Sequence, residues 1–193
     1  MGRREEEAEV LGKLGLAVKI LADGMSPAVV PAGGAAIGYA LRGARRGEDV
    51  AGIPGGMVAD GDEVRASGEA AFGAAGGAAR IALTAMRTDP EIRSAVVIRF
   101  TPAILATVEG LLLETCEFDR AREPPGVSTM EWGVASCCRD GVPDVVFDRG
   151  APGREGLVRI LGEDPVTVAQ TIVALSGRLP PEAEAGKRRS RHT

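Results

Sequence analysis

Apolar residues at Leu11, Leu14, Val18 and Leu21 share one helical stripe and predict a helix over residues 4–22, ended by Gly24. Glu5, Glu6 and Glu7 fall in its first turn, where the unpaired N–H groups favour negative charge. A strand is expected near Ile37–Leu41, and Gly55–Gly68 reads as a hairpin turning at Asp60-Gly61-Asp62. The stretch "FGAAGGAARIAL", Phe72–Leu83, leads into a helix ending near Arg87. Three helix starts follow: Asp89-Pro90 for a single turn, Thr101-Pro102, and Ser128 with Glu131 as a capping box. Strands are expected at Ser94–Phe100, Leu111–Phe118, Pro143–Asp148 and Leu157–Gly162, before a last helix at "DPVTVAQTIVALS". Strands and helices alternate, but the hairpin breaks a strict βαβ order. The expected fold class is therefore α/β, a three-layer α/β/α domain on a mixed sheet. Residues 1–179 are expected to be one domain with a leading helix at 1–23. The tail 180–193, without an apolar period, is expected to be disordered.

Composition narrows the classes. The chain has 193 residues, a net charge of -4, 45% hydrophobic and 26% charged residues, which suits a soluble globular protein. Bulk charge does not call for nucleic acid, and the tail cluster "KRRSRH" reads as a solvated face. No apolar run reaches the length of a membrane span, and "MGRREEEAEV" lacks the apolar core of a signal peptide, so a cytoplasmic location is expected. The three cysteines, Cys116, Cys137 and Cys138, have no C-x-x-C spacing, which argues against a disulfide framework or a zinc site. Cys137 and Cys138 are expected on a buried helix face. His192 is the only histidine, so no histidine triad is expected within the fold.

Candidate chemistry gathers on arginines and glycines. In "DRGAPGREG", Asp148–Gly156, Gly150, Gly153 and Gly156 can turn N–H groups into a concave nest, and Arg149 and Arg154 can add charge-assisted bonds to a phosphate. A flexible connection with solvated arginines fits the spacing equally well. The Gly-Ala stretch lacks the Lys-Ser or Lys-Thr of a phosphate-binding loop and the G-x-G-x-x-G spacing, so close helix packing is favoured over anion binding there. On "SAVVIRF", Val96, Ile98 and Phe100 share one face, with Val97 and Arg99 on the other. An arginine there calls for an anionic partner, and Arg80 raises the same question. Asp119 and Arg120 can serve a metal-bound phosphate or simply each other.

The blocks "DVAGIPGGMV", "FGAAGGAARIALTAMRTDPEIRSA", "EFDRAREP", "EWGV" and "PDVVFDRGAPGREGLVRILG", in that order, resemble the archaeal-type thiamine-phosphate synthase domain of the ThiN type over roughly residues 8–176. The resemblance implies a fold similar to the class II aldolase α/β/α domain. It also implies a reaction joining hydroxymethylpyrimidine diphosphate to thiazole phosphate, with magnesium and release of pyrophosphate. Phosphate contacts are then expected at Gly73, Arg99, Arg149, Gly150, Gly153 and Arg154, with metal or phosphate contacts at Asp119 and Asp148. The expected partners are phosphorylated thiamine or its precursors, and a second copy in a homodimer.

Three places depart from the family pattern. Ala75-Gly76-Gly77 stand where Ser-Arg-His is usual, Ala32 and Gly33–Ala36 where a glutamate and a polar group ending in asparagine are usual, and Val97 where asparagine is usual. Arg154 stands where lysine is usual. The resemblance thus implies either a synthase or a catalytically lapsed sensor or accessory subunit.

Overall fold

The computed structural model describes residues 1–126 and 129–181. Its first helix, α1 (Arg3–Gly24), buries Val10, Leu14, Ala17 and Leu21 at i, i+4, i+7 and i+11, while Leu11 and Val18 lie at the edge of that stripe. The last helix, α5 (Pro165–Arg178), starts where Asp164 Oδ1 accepts the N–H groups of Val166 and Thr167 at 2.9 and 3.0 Å, and lies beside α1. Between them, among the described residues, lie α2 (Gly77–Met86), α3 (Pro102–Gly110) and α4 (Thr129–Cys137). Thr101 caps α3 by accepting the Ile104 N–H at 3.1 Å.

The strands are β1 (Ile37–Ala40), β2 (Val50–Gly52), β3 (Met57–Asp60), β4 (Glu63–Ala66), β5 (Ala71–Phe72), β6 (Ser94–Arg99), β7 (Thr115–Glu117), β8 (Val145–Phe147) and β9 (Leu157–Gly162). Seven of them form one sheet in the order β5-β2-β1-β6-β9-β8-β7, antiparallel throughout except for the parallel pair β7–β8. Hairpin β3–β4 stands apart and turns through Gly61, at φ +64°, and Asp62. Period-two alternation on the central strands divides two cores. Val96, Ile98, Val158 and Ile160 meet α1 and α5, whereas Ala95, Val97, Val146 and Leu161 meet α2 and α4. The result is the expected three-layer α/β/α arrangement on a mixed sheet.

Several local expectations are corrected. Leu111–Leu113 is not strand: α3 ends at Gly110, Leu112 takes φ +59° and is 92% exposed, and strand β7 is confined to Thr115–Glu117. The chain must reverse there to reach the sheet edge, so Leu111 and Leu113 tuck against the α1/α5 core while Leu112 points out. The short strands β2 and β5 escaped the pattern because neither holds enough residues for a period. Cys116 and Cys137 form a disulfide, with Cα atoms 5.8 Å apart, against the expectation from spacing. Cys138 alone is buried and free, so the two adjacent cysteines do not share a buried face. Closing this 21-residue separation stabilises by roughly 3 kcal/mol on a chain-entropy reckoning. The proposed cap at Ser128 and the tail from residue 182, with His192, lie outside the described residues.

The Gly-Ala stretch proves to be a packing device. Ala75 is buried, and a Cβ on Gly38 would stand 3.2 Å from both the Ala75 and Ala78 methyls, while one on Gly52 would collide with the Ala75 backbone. Helix α2 therefore seats directly on β1 and β2. Gly52→Ala is expected to destabilise the fold by roughly 1–3 kcal/mol through overpacking. An unchanged denaturation midpoint would show that α2 is not seated this way.

Candidate functional site

Antiparallel pairing brings the start of β1, the end of β6 and the start of β9 to one end of the sheet, beside the ends of β7 and β8. Asp148, directly after β8, is 1% exposed and organises that end. Its carboxylate accepts Arg120 Nε at 2.6 Å and Nη2 at 3.2 Å, Arg159 Nη1 at 2.9 Å, and the Gly150 N–H at 2.8 Å. Arg159, in the middle of β9, is wholly buried beneath the Phe118 ring, with Cζ 4.8 Å from the ring centroid. Burial pushes its guanidinium below the ordinary arginine range, Asp148 pulls it back up, and Arg120 adds to the fall. Its Nε and Nη2 have no hydrogen-bond partner.

Around this centre Arg99 and Arg149 are paired. Arg99 Nε donates to Glu155 Oε1 at 2.6 Å, and Glu155 Oε2 accepts the Ala32 N–H at 3.1 Å, which ties the β9 approach to the segment before β1. Arg149 Nε donates to Glu117 at 2.7 Å and lies over the stacked rings of Phe100 and Phe147. Arg154 is exposed and has no carboxylate against it among the described residues.

Thus Arg99, Arg149, Gly150, Gly153, Arg154 and Asp148 come together, as the sequence suggested, but the backbone nest does not form. Gly150 and Gly153 adopt φ +83° and +73°, yet the Gly150 N–H goes to Asp148, the Ala151 N–H to the Arg154 carbonyl, and the Arg154 N–H to Ala151. Pro152 has no N–H to give. Gly73 is corrected likewise, since its N–H donates to the Val50 carbonyl at 2.9 Å. With the Gly150, Ala151 and Arg154 amides already paired inside the protein, side chains are the main anion donors left.

Asp119 caps the turn at Arg120–Arg122 by accepting the Ala121 N–H at 2.9 Å, and Arg120 turns to Asp148 instead of Asp119. A carboxylate filled by two guanidinium groups and an amide is a poor ligand for a cation. Among the described residues no group of three His, Cys, Asp or Glu could hold a metal ion. The donor set therefore does not fit a protein-bound magnesium at Asp148.

The three departures from the family pattern also adjoin this end. The Val97 N–H donates to the Ala36 carbonyl at 2.9 Å, and Val97 stands opposite Arg159 in the β6–β9 register. Gly76, at φ +54°, begins α2 without a side-chain cap, and a Cβ there would meet open space. Arg80 lies elsewhere, in a cleft of about 590 Å³ with Arg45, Leu83, Met86, Arg87 and Pro90. Sequence reasoning missed Arg159, Glu155 and Glu117. For Arg159 the signal was present, a charge between Val158 and Ile160 in a strand of otherwise apolar residues, the same sign that marked Arg99.

Comparison with known proteins places these features in context. The family model described as thiamine-phosphate synthase ThiN matches residues 13–174. A bifunctional thiamine biosynthesis protein ThiDN of Methanocaldococcus jannaschii is 38% identical over 107 residues, 54% of this chain and 25% of that protein. The thiamine-phosphate synthase ThiN of Methanothermobacter thermautotrophicus is 32% identical over 135 residues, 66% of this chain and 71% of that protein. The chain thus spans a quarter of the first relative's length. Two crystal structures are similar in fold: the C-terminal domain of protein MJ0236, at 31% identity and TM-score 0.82 over 88% of this chain and 94% of that one, and the C-terminal domain of a phosphomethylpyrimidine kinase, at 29% and 0.80 over 88% and 100%. No helix among the described residues is long and apolar enough to cross a membrane.

Proposed function

For this chain, which belongs to the thiamine-phosphate synthase ThiN family, we propose a domain that binds phosphorylated thiamine or its phosphorylated precursors at the arginine-lined end of the sheet, with little turnover. The carrying observation is the convergence of two opposite features. Arg99, Arg149 and Arg154 gather at one sheet end, while the nearby positions Ala36, Val97 and Gly76 carry no polar side chain. Binding an anion needs the first feature. Stabilising charge on a departing pyrophosphate needs donors aimed at the leaving group, which alanine, valine and glycine cannot supply by side chain.

The second reading is a synthase that joins hydroxymethylpyrimidine diphosphate to thiazole phosphate. It is supported by family membership and by the Nε and Nη2 donors of Arg159, which have no hydrogen-bond partner. Calorimetric titration with thiamine phosphate, pyrophosphate and each substrate, beside a condensation assay, separates the two. Product binding without condensation selects the binding module, and condensation selects the enzyme.

Arg154 is the sharpest local test. It is exposed, uncompensated and on the loop beside Asp148, so Arg154→Ala is expected to weaken binding of the phosphorylated ligand by roughly 1.5–3 kcal/mol, the scale of a charged hydrogen bond. Because it makes no ion pair among the described residues, the melting temperature of the free protein should hold steady. Equal affinity in parent and variant would remove Arg154 from the site.

A further inference from the structure

We propose that Cys116 and Cys137 are a reversible thiol–disulfide site whose closed form clamps α4 over the Phe118 ring, and so over the buried Arg159–Asp148 pair. The two cysteines sit on different layers, Cys116 on edge strand β7 and Cys137 at the last residue of α4, and both are partly exposed. A reagent can therefore reach this bond from solvent. The neighbouring residues connect it to the site on both sides. Glu117, next to Cys116, receives Arg149, and Phe118 follows with its ring over Arg159.

On the helix side, Trp132 meets Phe118 edge-on with ring centroids 6.2 Å apart, and a Cβ on Gly133 would collide with the Phe118 ring. Helix α4 thus lies flush on Phe118 through one glycine. A second anchor holds α4 independently: Thr88 Oγ1 donates to the Cys138 carbonyl at 2.8 Å, beside the packing of α4 on α2. Opening the disulfide therefore removes the covalent tie between α4 and β7 and leaves the anchor of α4 on α2 in place.

The chemistry is thiol–disulfide exchange with a thiol reductant. A reductant thiolate attacks one sulfur of the Cys116–Cys137 bond, the other leaves as thiolate and takes a proton, and a second reductant thiol releases the mixed disulfide. Two electrons and two protons enter the protein, and the reductant leaves as its own disulfide. Cys138 does not compete in the exchange. It is buried, and burial pushes its thiol up, away from the nucleophilic thiolate form.

Trp132 is the only tryptophan in the chain, so its emission reports directly on the Phe118 contact. After equilibration with oxidised glutathione, thiol titration of the unfolded chain should find one free thiol, and after dithiothreitol three. Over the same change the folded protein's Trp132 emission should move several nanometres to the red. Cys137→Ser, and Cys116→Ala as a second variant, should show the reduced emission with or without dithiothreitol. Three thiols after the oxidant, or identical emission in the one-thiol and three-thiol states, overturns the proposal.

The effect on ligand rests on the binding reading above. Affinity for thiamine phosphate should fall several-fold on reduction of the parent and stay constant in both variants. Failure of thiamine phosphate to bind in either state counts against the binding reading alone, because thiol counts and Trp132 emission still decide the clamp.

Discussion

Supplied with hydroxymethylpyrimidine diphosphate and thiazole phosphate, the unmodified chain should form thiamine phosphate at close to the background rate. Loss of one preorganised donor from such a site typically lowers turnover by a factor of about a hundred to a thousand, and several losses together bring the rate near background. The α2 start offers a glycine without a side-chain cap at position 76, and Val97 offers no hydrogen-bonding side chain opposite Arg159. The structure also limits the repairs. Gly76→Arg enters open space, but φ +54° with ψ -133° is a conformation L side chains rarely adopt, so the start of α2 must shift to accept it. Ala75→Ser must fit its hydroxyl where Gly38 and Gly52 already hold Ala75 tightly. Either repair should therefore recover activity only in part, while Ala36 and Val97 also remain. Turnover of the parent on the order of 1–10³ s⁻¹, the usual enzymatic range, would sink the lapsed-site reading.

Asp148→Asn should be the most destabilising of the substitutions considered. The Asp148 carboxylate faces two guanidinium groups, and the two differ in what they can do without it. Arg120, 11% exposed, can turn towards water, whereas Arg159 at 0% would be left as a buried cation without its counter-charge. Breaking a buried pair from one side typically costs about 3–5 kcal/mol, against a total stability of roughly 5–15. For a chain of this size that lowers the melting temperature by roughly 6–20 °C. Adding Arg159→Met to Asp148→Asn should return part of the loss, because the uncompensated charge goes with it. A melting temperature within about 2 °C of the parent for Asp148→Asn alone would show that the pair is not buried together.

Legibility in the sequence followed the range of the physics. Helix α1, the β3–β4 turn, the cap at Thr101, the last helix from Asp164, and the two-faced alternation of β6 were all readable, because each depends on residues within a few positions of one another. The resemblance to the family was likewise carried by ordered blocks of residues, and it led to the same family that the comparisons show. Loop amides were misjudged: glycines at 150 and 153 do take positive φ, but where their neighbours' N–H groups point depends on Asp148 and on the turn's own carbonyls.

What only the tertiary structure decided was pairing across distance. The sequence contains Cys116 and Cys137, Arg120 and Asp148, Arg99 and Glu155, but nothing in their spacing says that they meet. Those meetings follow from the strand order, which puts β7 beside β8 in parallel and β9 between β8 and β6 in antiparallel register. Strand order minimises exposed apolar surface over the whole chain at once, so it is a property of both cores together. Local pattern fixes which face a side chain takes, and the sheet's global order fixes what it finds there.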